Sequence, residues 1–139
     1  MEILSVAIHP NGYYIAISDV EMIRFFHLCY KELRFYNNDQ IANEPNKSNC
    51  TLLKFSNGGH ILAAVNDKNI HFLRSYSRET IKTIHSPHSG QITAIYFHNS
   101  DNFFYTAGND GSIIQYNLMN QRINISARWL ISEEDSVYV

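Results

Sequence analysis

The sequence predicts an all-β chain, a partial β-propeller of about three four-stranded antiparallel blades. Two observations carry this. Three stretches, SVAIHPNGYYIAISDVEMIRFF, TLLKFSNGGHILAAVNDKNIHFL and AIYFHNSDNFFYTAGNDGSIIQY, superimpose almost without gaps. Ile8, Phe55 and Phe97 share one column, 47 and 42 residues apart, and a repeat of that period is one supersecondary unit copied along the chain. Within each copy, short apolar runs alternate with turn residues, and no useful length has a helical period.

The first copy predicts strands at 3–8, 14–17, 22–28 and 32–36, with a tight turn at Pro10-Asn11-Gly12. The second predicts strands at 51–55, 61–65, 70–73 and 79–84. Asn57-Gly58-Gly59 and Asn66-Asp67 separate the first three of them. The third predicts strands at 92–97, 103–106, 113–117 and 122–127. The blades are thus expected at about 3–37, 50–86 and 92–127, all within one domain. Between the first two lies NNDQIANEPNKSN, a polar stretch with no apolar stripe, read as a lengthened surface connection. Residues 128–139 are the tail. Its Ser136–Val139 run suits either the first strand of a further blade or a chain end.

Composition narrows the function. The chain has 139 residues, 45% hydrophobic and 17% charged, which is globular rather than disordered. A net charge of −2 argues against capture by nucleic acid or an anionic membrane. Cys29 and Cys50 are read as unpaired thiols, which fits a reducing compartment. The N-terminus has no basic region before an apolar run, and no stretch reaches the ~18 apolar residues of a membrane span. A cytoplasmic protein is expected. Asn57-Gly58-Gly59 is a strand-to-strand turn rather than a phosphate-cradling loop before a helix, and no cofactor is expected.

The third copy carries the fullest motif. His88-Ser89-Gly90-Gln91-Ile92 precedes its first strand, Thr106 to Gly111 spans the second strand and its turn, and Tyr116-Asn117 ends the third. This resembles the WD40 repeat, with Pro87 in place of the Gly before His88 and Tyr116-Asn117 in place of Trp-Asp. The resemblance implies a buried structural hydrogen-bond network of His88, Thr106, Asp110 and Tyr116. Buried polar groups need partners, and such a chain would pin the Asp110 turn against the His88 loop. In the first two copies Phe26 and Leu73 stand where the Trp would be, and His27 and Arg74 where the Asp would be. Those blades are expected to hold their shape by apolar packing.

Thr106, His88 and Asp110 also spell a hydroxyl, an imidazole and a carboxylate. Catalysis would need the hydroxyl open to a pocket with an oxyanion hole. A position inside a strand argues for structure instead, and no catalytic residue is expected. His85 and His88 are three apart with no third ligand nearby, and His9 and His98 share a turn column with Ser56. No metal site is expected. Tyr13, Tyr30 and Tyr76 lie at turns or strand ends and are contact candidates, with packing between blades the plainer reading.

A narrower resemblance covers roughly residues 3–127. Asn57-Gly58-Gly59-His60, Ala63-Ala64-Val65-Asn66, Ile70-His71, His88 to Ile92 and Gly108 to Gly111 resemble the cilia- and flagella-associated protein 57 family of axonemal WD-repeat proteins. The resemblance implies a non-enzymatic protein-interaction scaffold in the cilium or flagellum. It implies a link to inner dynein arm organisation, with dynein-associated or microtubule-associated proteins as partners. Members also have a long coiled coil, and this chain has no heptads. The alternatives are a truncated or partial WD-repeat product without independent activity, and a general cytosolic WD40 adaptor. Because terminal blades present apolar faces, the isolated arc is expected to self-associate or to be marginally stable.

Overall fold

The computed structural model describes residues 2–29, 32–36, 49–119 and 123–131. The connection at 37–48, Tyr30 and the tail from 132 lie outside the described residues. Among the described residues, twelve strands form three antiparallel four-stranded sheets. The first holds β1 (Ile3–Ile8), β2 (Tyr14–Asp19), β3 (Ile23–Cys29) and β4 (Glu32–Tyr36). The second holds β5 (Leu52–Phe55), β6 (Ile61–Asn66), β7 (Asn69–Arg74) and β8 (Thr80–His85). The third holds β9 (Ile92–Phe97), β10 (Phe103–Gly108), β11 (Ser112–Asn117) and β12 (Asn124–Leu130). Each sheet is a meander in sequence order, as turn signals between short strands require.

Strand pairing reproduces the sequence columns. Ile8 pairs with Ile15, Phe55 with Leu62 and Phe97 with Phe104. Their partners one strand further out are Phe26, Leu73 and Tyr116. The turn after each first strand repeats too. The N–H groups of His9, Ser56 and His98 donate to the carbonyls of Tyr14, Ile61 and Phe103. Their own carbonyls accept from Gly12, Gly59 and Asp101. Those three acceptor turns end in the left-handed region, with φ of 80°, 79° and 60°.

One strand differs from expectation. The fourth strand of the last sheet is Asn124–Leu130, not 122–127, because Arg128, Trp129 and Leu130 pair with Ile114, Ile113 and Ser112. This strand is exposed along nearly its whole length, so no buried-face alternation marks its ends in the sequence. The chain divides into two compact units, Met1–Ser86 and Pro87–Val139. The first unit contains two sheets because the first is sealed against the second.

That seal is the core of the first unit. Ala7, Tyr14, Ala16, Ile23 and Phe25 of the first sheet cluster with Cys50, Leu53, Phe55, Leu62, Ala64 and Leu73. Polar ties cross the same seam. The Tyr14 hydroxyl donates to the Ser75 carbonyl (2.7 Å), and Ser18 Oγ to the Cys50 carbonyl (2.7 Å). The Leu53 N–H donates to Ser5 Oγ (3.2 Å). The Asn11 N–H donates to His9 Nδ1 (3.1 Å), so the neutral ring carries its proton on Nε2, which donates to the Gly59 carbonyl (2.6 Å). The His9 ring also meets Phe55 edge-on at 5.1 Å. Gly59 is required here, since a Cβ on it would run into the His9 imidazole.

In urea unfolding, Tyr14→Phe is expected to cost about 1 kcal/mol through its lost hydrogen bond. Gly59→Ala is expected to cost more, because steric overlap with His9 adds to the ~1–2 kcal/mol of a left-handed L-residue. A Gly59→Ala chain as stable as wild type would contradict this account of the seam.

Candidate functional site

The second unit is organised around His88, which lies in the segment before β9 and is almost wholly buried. Its Nε2 lies 2.8 Å from Thr106 Oγ1 on β10. Its Nδ1 lies 2.8 Å from Ser112 Oγ and 3.2 Å from Asp110 Oδ1. The proton positions follow from these partners. Ser112 Oγ spends its hydrogen on Asp110 Oδ1 (2.7 Å), so it accepts from His88 and Nδ1 carries the ring proton. Thr106 then donates to Nε2 when the ring is neutral.

Asp110 anchors both loops. Its Oδ1 accepts the Ser112 N–H (3.1 Å), a local turn two residues long, and its Oδ2 accepts the Ser89 N–H (2.9 Å). The Ser112 hydroxyl is the largest influence on its titration. Against the opposing effect of burial, that hydroxyl, the Ser112 and Ser89 N–H groups and His88 hold the carboxyl well below the usual carboxylate range. Gly108 makes the closure possible, because a Cβ there would stand 2.6 Å from His88 Nδ1 and 2.7 Å from Asp110 Oδ1.

The structure therefore brings His88, Thr106 and Asp110 together. Tyr116 is buried in β11 beside Phe104, with ring centroids 6.2 Å apart. Sequence reasoning missed Ser112, which links His88 to Asp110, and Ser89. The available signal was a hydroxyl two residues after the Asp of an Asp-Gly turn, a spacing at which side chain and backbone both reach the carboxylate. Thr106 is fully buried, with its hydroxyl on His88 Nε2. What the arrangement does chemically is hold two loops together.

The remaining candidates have structural partners. His85 Nδ1 bonds Asn69 Oδ1 (2.9 Å), and His98 Nδ1 bonds Ser100 Oγ (2.9 Å). Tyr76 is 55% exposed, yet its ring stacks on Tyr14 at 5.4 Å and its hydroxyl lies 3.3 Å from His9 Nε2. It thus belongs to the seam. Tyr13 is 67% exposed and its ring remains a contact candidate. Asp19 is held by Arg24 (2.8 Å) and by the N–H groups of Glu21 and Met22. Burial raises its pKa, but those bonds outweigh burial and the net direction is downward. Among the described residues no helix is long and apolar enough to cross a membrane.

Residues 78–117 match the family model "WD domain, G-beta repeat". The chain carries a WD40 repeat over that stretch. Its fold is similar to that in a crystal structure of RRP9 WD40 repeats, with a TM-score of 0.79 at 17% identity. That match covers 96% of this chain and 40% of the other. In sequence it is similar to cilia- and flagella-associated protein 57 of Mus musculus, 32% identical over 84% of this chain. It is also similar to cilia- and flagella-associated protein 57 A of Tetrahymena thermophila, 31% identical over 83%. The chain spans 9% and 8% of those relatives' lengths.

Thr106→Val, which leaves His88 Nε2 without that hydroxyl, is expected to cost about 1–3 kcal/mol in thermal or urea unfolding. Asp110→Asn carries a pH signature. Because folding lowers the Asp110 pKa, its stabilisation is present above ~4 and is lost as pH falls toward the folded value. The melting gap between wild type and Asp110→Asn should therefore be widest near neutrality and close in acid. A gap that does not change with pH would contradict the role given to the carboxylate.

Proposed function

We propose that this chain is part of a non-enzymatic scaffold of the ciliary or flagellar axoneme, working through protein–protein contacts linked to inner dynein arm organisation. The observation that carries the reading is similarity over more than four fifths of the chain to two proteins named as cilia- and flagella-associated. Its partners are dynein-associated or microtubule-associated proteins. The His88, Thr106 and Asp110 set, extended by Ser112 and Ser89, serves as a lock. It fixes the loops of its blade so that they present a rigid surface, and Tyr116 adds apolar packing below it. A rigid loop surface recognises a partner without a cofactor or a perturbed catalytic group. The burial of Thr106 supports the non-enzymatic part of the reading.

The test is location. A tagged copy expressed in a ciliated cell should stay with the axoneme after detergent extraction, and disruption of the gene should reduce inner-arm density in tomograms of the doublets. Complete release into the detergent-soluble fraction, with intact inner arms after disruption, would overturn the proposal. A hydrolase activity abolished by Thr106→Ala in a chain that still folds would overturn its non-enzymatic part.

A further inference from the structure

Three rings stack from the core of the first unit out to its surface. Phe25, fully buried, lies 5.5 Å from Tyr14 at an interplanar angle of 19°, and Tyr14 lies 5.4 Å from Tyr76 at 22°. Tyr76 also meets the His9 ring at 5.4 Å, yet it is 55% exposed. The stack is therefore closed at Phe25 and open at Tyr76, whose outer ring face meets water. The loop is held as firmly as the ring. The Arg74 N–H donates to the Glu79 carbonyl (2.8 Å), the Arg78 N–H to the Arg74 carbonyl (2.9 Å) and the Ser75 N–H to the His60 carbonyl (3.1 Å). An exposed aromatic ring fixed in advance loses little freedom when a partner covers it, which suits it to be a binding anchor.

A second ring stands at the same end of the strands, in the turn whose His9 reaches Tyr76. Tyr13 is 67% exposed, and its backbone is pinned. Its N–H donates to Asn11 Oδ1 (2.8 Å), and its carbonyl accepts from Leu28 (2.7 Å). This exposure is a property of the turn. His60 holds the same column in the next copy, and it too is exposed although its sheet packs against the first. Charge narrows what would cover these rings. The loop 74–79 carries Arg74 and Arg78 against the single carboxylate of Glu79, and Arg74 is exposed. A guanidinium beside an aromatic face favours a carboxylate and repels an ammonium group.

We propose that Tyr13, Tyr76 and Arg74 form a docking surface for an acidic peptide segment of a partner protein, one that carries an aromatic side chain. The partner's ring continues the stack on the outer face of Tyr76, its carboxylate pairs with Arg74, and Tyr13 flanks the segment. The inference rests on the reading of this chain as a protein-interaction scaffold and gives that scaffold a contact. It does not rest on the axonemal location.

Fluorescence anisotropy on the full chain tests it. A fluorescein-labelled Glu-Asp-Trp-Glu-Asp peptide should bind saturably. Labelled peptides with Ala in place of Trp, or with Lys in place of every acidic residue, should bind about tenfold more weakly or not at all. Arg74→Glu, at an exposed position, should reverse the order and favour the lysine peptide. Tyr76→Ala should weaken the acidic peptide by a similar factor. Because Tyr76 also packs in the seam, Tyr13→Ala at the more exposed ring supplies a variant that leaves the seam alone, and it should weaken binding too. Absence of saturable binding, equal binding of all the peptides, or wild-type binding of the acidic peptide by Arg74→Glu or Tyr13→Ala would each overturn the proposal. None of those outcomes bears on retention in the axoneme, so failure here and failure of the axonemal reading are told apart.

Discussion

A four-stranded sheet whose residues are apolar on both faces cannot satisfy itself, and most of this molecule follows from that constraint. The first sheet resolves it on one side by closing against the second. Small residues at Ala7, Ala16 and Ala64 bring the backbones near, and Leu53, Phe55, Leu62 and Leu73 fill the space between. Polar groups that the seam takes out of water are paired across it, at Tyr14 with Ser75, Ser18 with Cys50 and His9 with Gly59. An unpaired group there would cost about as much as several buried methylenes contribute.

The two units use histidine in two ways. In the first, His9 reaches from one sheet to the next and carries its proton on Nε2. In the second, His88 stays within its own sheet, carries its proton on Nδ1 and closes a ring of hydroxyls around Asp110. The difference follows from the residues two strands out. Leu73 and Phe26 leave the first two blades to apolar packing, and aromatic and histidine contacts across the seam do the ordering. In the third blade Thr106, Asp110 and Ser112 supply enough donors and acceptors to bury a polar cluster. In both cases a buried histidine ties a turn to its neighbour.

Much of this was legible before any coordinates. The strand columns were readable because β-strand burial has period two and the turns between strands carry Gly, Asn and Asp at fixed offsets. His88, Thr106 and Asp110 were pointed to by the resemblance of the third copy to the WD40 repeat, not by any local periodicity. Ser112 was not, because a single serine after Asp-Gly carries no alternation and looks like any turn residue. The end of β12 was not either, because an exposed edge strand is under no burial pattern. His9 was visible as a turn residue, while its reach to Gly59, fifty residues away, had no local signature.

The repeat, the four-strand unit and the strand columns are written in the chain itself, because these depend on local periodicity and turn chemistry. Which faces of the first two sheets are sealed against each other, and which nitrogen of each buried histidine holds the proton, emerged with the folded arrangement. Those outcomes depend on residues far apart in the chain meeting at a shared surface. No local pattern encodes whether Ile8, in the same column as Phe55 and Phe97, ends up covered by a neighbour or facing water.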